Sequence, residues 1–308
     1  MDIDFKKEIL KIAGETCVKF DEPMSEHTTF RVGGPADILV TPADEAQFIE
    51  AVSLCKSAGM PYMIIGNGSN LLVGDKGIRG VVFKLFRTMD HVSFEPQEDG
   101  RVIVHAGAGI MLSRLAKMAA SEGLEGLEFA SGIPGTFGGA VTMNAGAYGG
   151  EMKRCVISVK ALDTEGHVLH LNFDQLEMGY RTSVIQRCGY IVLEASLCLK
   201  KGNQTAIYSY MDELAVRRKE KQPLEYPSAG STFKRPEGYF AGKLIQDAGL
   251  KGYRVGGACV SKKHSGFVIN DKGASAADIL QLIHDVQDMV MEKFGVRLEP
   301  EVRIIGEF

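Results

Sequence analysis

The stretch from Gly132 to Gly150, GIPGTFGGAVTMNAGAYGG, restricts this chain more than any other part of its sequence. Glycine and alanine crowd into two clusters, GTFGGA and NAGAYGG. Such a run is too poor in side chains for a regular element, because glycine weakens helix and strand alike. A flexible linker would look similar, but Ile133, Phe137, Val141 and Met143 are spaced through it as apolar anchors. The expected object is an anchored, irregular loop pair whose backbone N–H groups can cradle a pyrophosphate without a cationic side chain. The 36 glycines among 308 residues exceed the usual share of about 7% and bunch in such loops. A second small-residue loop, GNGSN at 66–70, lies between the strand-like YMII and the apolar LLV. Strand–loop–strand is not the strand–loop–helix order of a doubly wound dinucleotide fold. The chain also contains no GxxxxGK[ST] phosphate loop.

Around these loops, helices and strands alternate. A helix is expected at about 42–58, with Thr41 as N-cap, Pro42 in the first position and Phe48, Ile49, Val52 and Cys55 on one face. Strands are expected from about 80 to 105, a turn and amphipathic helix at 107–123, and more strands from 155 to 200. Ser209 with Asp212 marks the start of a helix running through Lys221, and another is expected at 240–248. Ser275 with Asp278 opens a long last helix that Gly295 closes, and VRLEPEVRII ends the chain as a strand. The fold class is therefore α+β. A change in composition near 205 predicts domains at 1–204, with lobes of about 1–85 and 86–204, and at 205–308.

Charge narrows the function classes. The net charge of −4 argues against nucleic acid as a main partner. Residues 217–263 nevertheless hold eleven lysines and arginines against four acids, which suits a small anionic ligand such as a nucleotide diphosphate. A solvated helix face accounts for about half of them. No apolar run approaches the ~18 residues of a membrane helix, and no leader-like segment is seen, so a cytoplasmic protein with no membrane partner is expected. The six cysteines form no CxxC pair and read as free thiols. His167 and His170 point to opposite faces of a strand, so no metal site is expected.

The motifs IGNGSNLLV (65–73), SGIPGTFGGAVTMNAGAYG (131–149), YRTS (180–183), AGSTFKRP (229–236) and LEPEVRIIG (298–306) occur in series. In that order they resemble the UDP-N-acetylenolpyruvoylglucosamine reductase (MurB) family, over residues 28 to 306. The short segment between Tyr180 and Ser209 resembles its type II subgroup. The resemblance implies a two-lobed FAD-binding region of the vanillyl-alcohol-oxidase-like (PCMH) type and a C-terminal substrate domain. It also implies an NADPH-dependent flavoprotein oxidoreductase of peptidoglycan precursor synthesis, and hence of cell wall biogenesis, cell shape and cell division. The FAD-contacting positions it implies are Gly66, Asn67, Gly68, Ser69, Asn70, Gly132, Ile133, Pro134, Gly135, Thr136, Gly138, Gly139, Ala140, Asn144 and Gly146.

The implied reaction adds hydride to the terminal carbon of an enolpyruvyl ether and a proton to its neighbour. Negative charge builds beside the substrate carboxylate, so the site needs a fixed cation and a positioned acid. The resemblance assigns these roles to Arg181, Ser231 and Glu301. For substrate anchoring it points to Tyr180, Arg218, Lys221, Lys251, His264 and Arg303; Lys219, Lys243, Lys262 and Lys263 read as solvated. Alternation along 296–303 sets Arg297, Glu299, Glu301 and Arg303 on the face opposite Val296, Leu298, Pro300 and Val302. Two other functions share parts of this pattern. An oxidase of the same fold would need the glycine loops but not Ser231, Glu301 and Arg181 together. A non-catalytic UDP-sugar binder would need no flavin cradle. Neither oligomeric state nor NADPH preference over NADH can be read from these motifs.

Overall fold

The computed structural model describes residues 3–308. The chain divides by compactness into two units. Unit 1 gathers residues up to Lys19, Leu39–Asn67 and Val82–Arg217; unit 2 gathers Phe20–Ile38, Gly68–Val81 and Arg218–Phe308. These units are defined by packing, whereas the expected regions 1–204 and 205–308 rest on the change in composition near 205.

Unit 1 is built on an antiparallel sheet in the order Val168–Asn172, Val156–Leu162, Ile191–Lys201, Arg101–Gly107 and Val92–Pro96. Its central strand, Ile191–Lys201, buries most of its residues on both faces. The glycine-rich stretch packs there through Phe137 and Val141, both fully buried. Contrary to expectation it is not wholly irregular. A short helix, Phe137–Thr142, and a tight hairpin, Gly146–Ala147 with Gly150–Glu151, form within it. The reason is packing: Cβ-less Gly138 lets the helix meet Ala108, and its N–H donates to the Ala108 carbonyl at 2.8 Å. The helix Leu112–Ser121 buries Leu112, Leu115, Ala116, Ala119 and Ala120 on one stripe, and left-handed Gly123 stops it as expected.

Two helix starts move. The helix expected from 42 is Glu45–Ser57, capped by Asp44, whose Oδ1 accepts from Gln47 N at 2.8 Å while Gln47 Oε1 accepts from Ala43 N at 2.7 Å. That reciprocal pair outbids Thr41, which lies too far from the first free N–H groups. The helix expected from Ser209 is Gln204–Lys221. Its cap is Asn203, whose Oδ1 accepts from Ala206 N at 2.9 Å, so Ser209 and Asp212 lie exposed in mid-helix.

Unit 2 holds a small antiparallel sheet, Arg254–Val255, Ala258–Val260 and Val268–Asn270. The helix Ala276–Phe294 lays Ile279, Leu282, Ile283, Val286 and Val290 into the core around it. Its capping box of Ser275 and Asp278 is present as expected, and Gly295 adopts φ 67° at its end. Asp75 adds a second cap, accepting from Ala276 N at 2.7 Å and Ala277 N at 2.9 Å. The terminal strand is shorter than expected. As a strand it keeps Arg303–Ile305, in parallel with Leu71–Val73, while Pro300 makes an isolated bridge to Phe233. The alternation survives in 296–302, with Leu298 and Val302 buried and Arg297, Glu299 and Arg303 exposed.

Candidate active site

The GNGSN loop meets the needs of an anion cradle. The backbone N–H groups of Asn67, Gly68, Ser69 and Asn70 donate to no acceptor among the described residues. Gly68 takes φ 63° and presses on the His27 carbonyl, where a Cβ could not fit. Successive free donors around a left-handed residue form the concave nest that binds phosphate oxygens. Within unit 1, Gly66 and Asn67 are tied to the start of the Gly132–Gly150 stretch. Asn67 Nδ2 donates to the Pro134 carbonyl at 2.5 Å, and any Cβ on Gly66 would strike the Thr136 hydroxyl. Gly66 is therefore glycine because protein packs on it. Gly139 differs: its nearest prospective neighbour is Thr136 Oγ1 at 3.6 Å, and its N–H has no partner among the described residues. A ligand can approach the backbone there.

Asn144 has a structural job. It is 1% exposed and adopts φ 46°. Its Nδ2 donates to Glu151 Oε2 at 2.9 Å and the Gly179 carbonyl at 2.8 Å, and its Oδ1 accepts from Lys153 N at 2.9 Å. Its amide thus ties the glycine cluster to the YRTS turn, and Arg181 Nη2 joins by donating to the Gly146 carbonyl at 3.2 Å. Arg181 is itself left-handed at φ 54°, a conformation that costs an arginine about 1 kcal/mol. Its guanidinium stands 5.2 Å from the centre of the exposed Tyr180 ring. Ser183, fully buried, fixes the turn by donating to the Thr142 carbonyl at 2.6 Å.

In unit 2, Ser231 follows left-handed Gly230 and is exposed. The next residue, Thr232, is fully buried. From Thr232 the chain runs antiparallel to 299–302: Glu301 N donates to the Thr232 carbonyl at 2.8 Å, and Lys234 N to the Glu299 carbonyl at 2.8 Å. The ladder thus ties Thr232, the chain neighbour of Ser231, to Glu301. Asn70 holds the other side of Glu301, since its Nδ2 donates to the Glu301 carbonyl at 3.1 Å and its carbonyl accepts from Arg303 N at 3.0 Å.

The basic zone sorts itself by pairing. Arg217, Lys234, Lys243, Arg254 and Lys263 each have a carboxylate partner. Lys221, Lys251 and the Arg303 side chain have none among the described residues, and Arg218 is engaged. His264 and Lys251 are neighbours. Burial holds the His264 imidazole below its usual pKa, and the Lys251 charge pushes the same way. Its Nδ1 accepts from Gly266 N at 3.1 Å, so the neutral ring presents Nε2–H as a donor. Lys219 and Lys262 are exposed and unpaired too, so pairing alone does not separate anchors from solvated lysines.

Among the described residues no cluster of histidine, cysteine and carboxylate could hold a metal ion. Burial pushes the Cys55 and Cys155 thiols up to about 12, which makes them inert as nucleophiles. A separate cavity of about 590 Å³ opens in unit 1 beside Phe129, Tyr148, Arg154, Lys200 and Tyr210, and no expected cofactor residue lines it. The sequence reading missed Thr232, although it lies inside the AGSTFKRP motif; a threonine beside an exposed serine gives no sign of its burial.

Comparison with known proteins agrees along the whole chain. A model of the FAD binding domain matches residues 36–172. A model of the UDP-N-acetylenolpyruvoylglucosamine reductase C-terminal domain matches residues 222–305. The UDP-N-acetylenolpyruvoylglucosamine reductase of Lachnoclostridium phytofermentans is 54% identical over 301 residues, 98% of this chain and 97% of that protein. The chain belongs to the UDP-N-acetylenolpyruvoylglucosamine reductase family. The crystal structure of the family member from Thermus caldophilus shares 36% identity and a TM-score of 0.75, covering 92% of this chain and 97% of that one. An alkyldihydroxyacetonephosphate synthase, at 18% identity and a TM-score of 0.51 over 65% of this chain and 41% of that one, shares the fold alone. The reductase family's cofactor is FAD, and the free N–H groups of residues 67–70 and the open Gly139 fit that group. Among the described residues, no helix is long and apolar enough to cross a membrane.

Proposed function

We propose that this chain reduces the enolpyruvyl ether of UDP-N-acetylglucosamine to the muramate, with electrons from NADPH, in peptidoglycan precursor synthesis. Bound FAD supplies hydride chemistry at the terminal carbon of the alkene. Ser231 delivers the proton to the adjacent carbon, and Glu301 shares its ladder as the second acid–base group. Arg181 offers a planar fork to the substrate carboxylate, against which charge develops. Lys221, Lys251, His264, Arg218, Tyr180 and Arg303 anchor the diphosphate and sugar. The glycine-cluster positions and residues 66–70 hold the cofactor, with Asn144 acting through its bracket on the loop. Apart from Tyr180 and Arg181, substrate anchoring belongs to 205–308, cofactor binding belongs to 1–204, and the working compartment is the cytoplasm.

The observation that carries this reading is the ladder that ties Thr232, next to the exposed Ser231, to Glu301, in a unit where Lys221, Lys251 and Arg303 have no carboxylate partner among the described residues. The test is an anaerobic titration in two steps. NADPH should bleach the flavin band, and the enolpyruvyl substrate should restore it. Flavin that NADPH reduces but only oxygen reoxidises would point instead to an oxidase. Protein purified without any flavin band would point to a sugar-nucleotide binder. Ser231→Ala should slow the second step by about a hundredfold or more, in the usual range for a lost acid, and leave the first unchanged.

A further inference from the structure

Thr232 has no assigned role, yet it occupies the junction on which the two proposed acid–base residues depend. All three of its polar groups are engaged. Its N–H donates to the Gly266 carbonyl at 2.8 Å, and its Oγ1 accepts from Val268 N at 2.9 Å. Its carbonyl accepts from Glu301 N at 2.8 Å and, more loosely, from Val302 N at 3.5 Å. The residue is 0% exposed, and Val268 is 2% exposed. The Val268 N–H therefore has no water to turn to if the hydroxyl is removed, and a buried donor without an acceptor is unfavourable. The segment can relieve it only by moving, and the residue that moves is bonded directly to Ser231 on one side and through the ladder to Glu301 on the other.

The neighbours of this junction are rigid. Val268–Asn270 is a strand of the small sheet, paired in register with Ala258–Val260. The segment 300–302 is pinned from its far side by Asn70, and Phe233 bridges Pro300. Thr232 thus ties the turn carrying Ser231 to both a sheet strand and the Glu301 segment.

We propose that Thr232 is a positioning residue: its buried hydroxyl, held by Val268 N–H, fixes the distance between the Ser231 hydroxyl and Glu301. This rests on the roles proposed above for Ser231 and Glu301. Displacements of about 1 Å at a reacting group can cost on the order of a hundredfold in rate. The hydroxyl therefore governs proton delivery while leaving cofactor reduction alone.

The experiment compares Thr232→Val, which keeps the shape and loses the acceptor, with Thr232→Ser, which keeps the acceptor and loses the methyl. Each flavin-loaded variant is followed through both half-reactions anaerobically. Thr232→Val should reduce with NADPH at the parent rate and reoxidise with substrate about ten- to a hundredfold more slowly. The substrate KM should be little changed, and the solvent deuterium isotope effect on reoxidation larger. Thr232→Ser should restore most of the rate. Should Thr232→Val fail to fold, Thr232→Ala, which also lacks the acceptor, takes its place. Reoxidation at the parent rate in the acceptor-less variant overturns the proposal. So does a loss spread equally over both half-reactions, and so does a failure of Thr232→Ser to recover the rate. Ser231→Ala measured in parallel separates the two readings: if it too reoxidises normally, the assignment of Ser231 fails; if it is slow while Thr232→Val is fast, only the positioning role fails.

Discussion

At the scale of single residues, burial decides which groups can do chemistry. The His264 ring titrates below its usual range because burial, with Lys251 beside it, disfavours the imidazolium. As pH falls below about 6.5, the unfolded chain takes up its proton first. Stability should therefore drop below that pH and level off once the native ring also protonates. His264→Gln should flatten this limb of the profile, as read from denaturant midpoints between about pH 8 and pH 5; an identical profile in both proteins would show that the ring is solvated. The cysteines give a second prediction at this scale. Exposed Cys188 should react first with a maleimide, while buried Cys55 and Cys155, raised to about 12, should react only on unfolding. Lys221→Ala should weaken substrate binding by about ten- to a hundredfold if the unpaired ammonium meets the diphosphate. Isothermal titration with the UDP-sugar checks this, and unchanged affinity would place Lys221 among the solvated lysines.

At the scale of elements, local signals were legible where two residues agree on one end. Ser275 caps and Asp278 closes the first turn of the helix Ala276–Phe294 ahead of its apolar stripe, and their pattern reads correctly. Ser209 and Asp212 show the same spacing, but the helix already runs through them because Ile207, Met211 and Leu214 are buried on one stripe and Asn203 caps further upstream. Spacing alone cannot see that. The glycine-rich stretch was legible as an anchored cradle through Phe137 and Val141. Its helix was not, because that helix exists only where Gly138 packs on Ala108. The ladder joining Thr232 to Glu301 was equally hidden, since it links residues about 70 apart through backbone groups common to every sequence. The double cap on the last helix makes a prediction: Asp75→Ala should destabilise the protein by about 1–2 kcal/mol, the range for a lost N-cap. Urea denaturation checks it, and a change near zero would mean that Ser275 and Asp278 suffice.

At the scale of the whole molecule, the cofactor should contribute to stability as well as chemistry. Among the described residues the backbone N–H groups of 67–70 have no acceptor, so a bound anion would add hydrogen bonds that only the folded state can offer. Removing the flavin should lower the melting temperature, and adding FAD at about a hundred times its dissociation constant should return about 2.7 kcal/mol. A melting curve indifferent to FAD would contradict the cradle. The assembly of unit 2 carries a consequence for synthesis. Its core draws on Phe30, Val32 and Leu72 near the start of the chain, and its parallel pair joins Leu71–Val73 to Arg303–Ile305 at the very end. Leu71–Val73 must therefore wait, apolar and without this partner, until residues 303–305 have left the ribosome. Their slow, long-range closure is the stage at which a nascent chain of this kind most needs a chaperone.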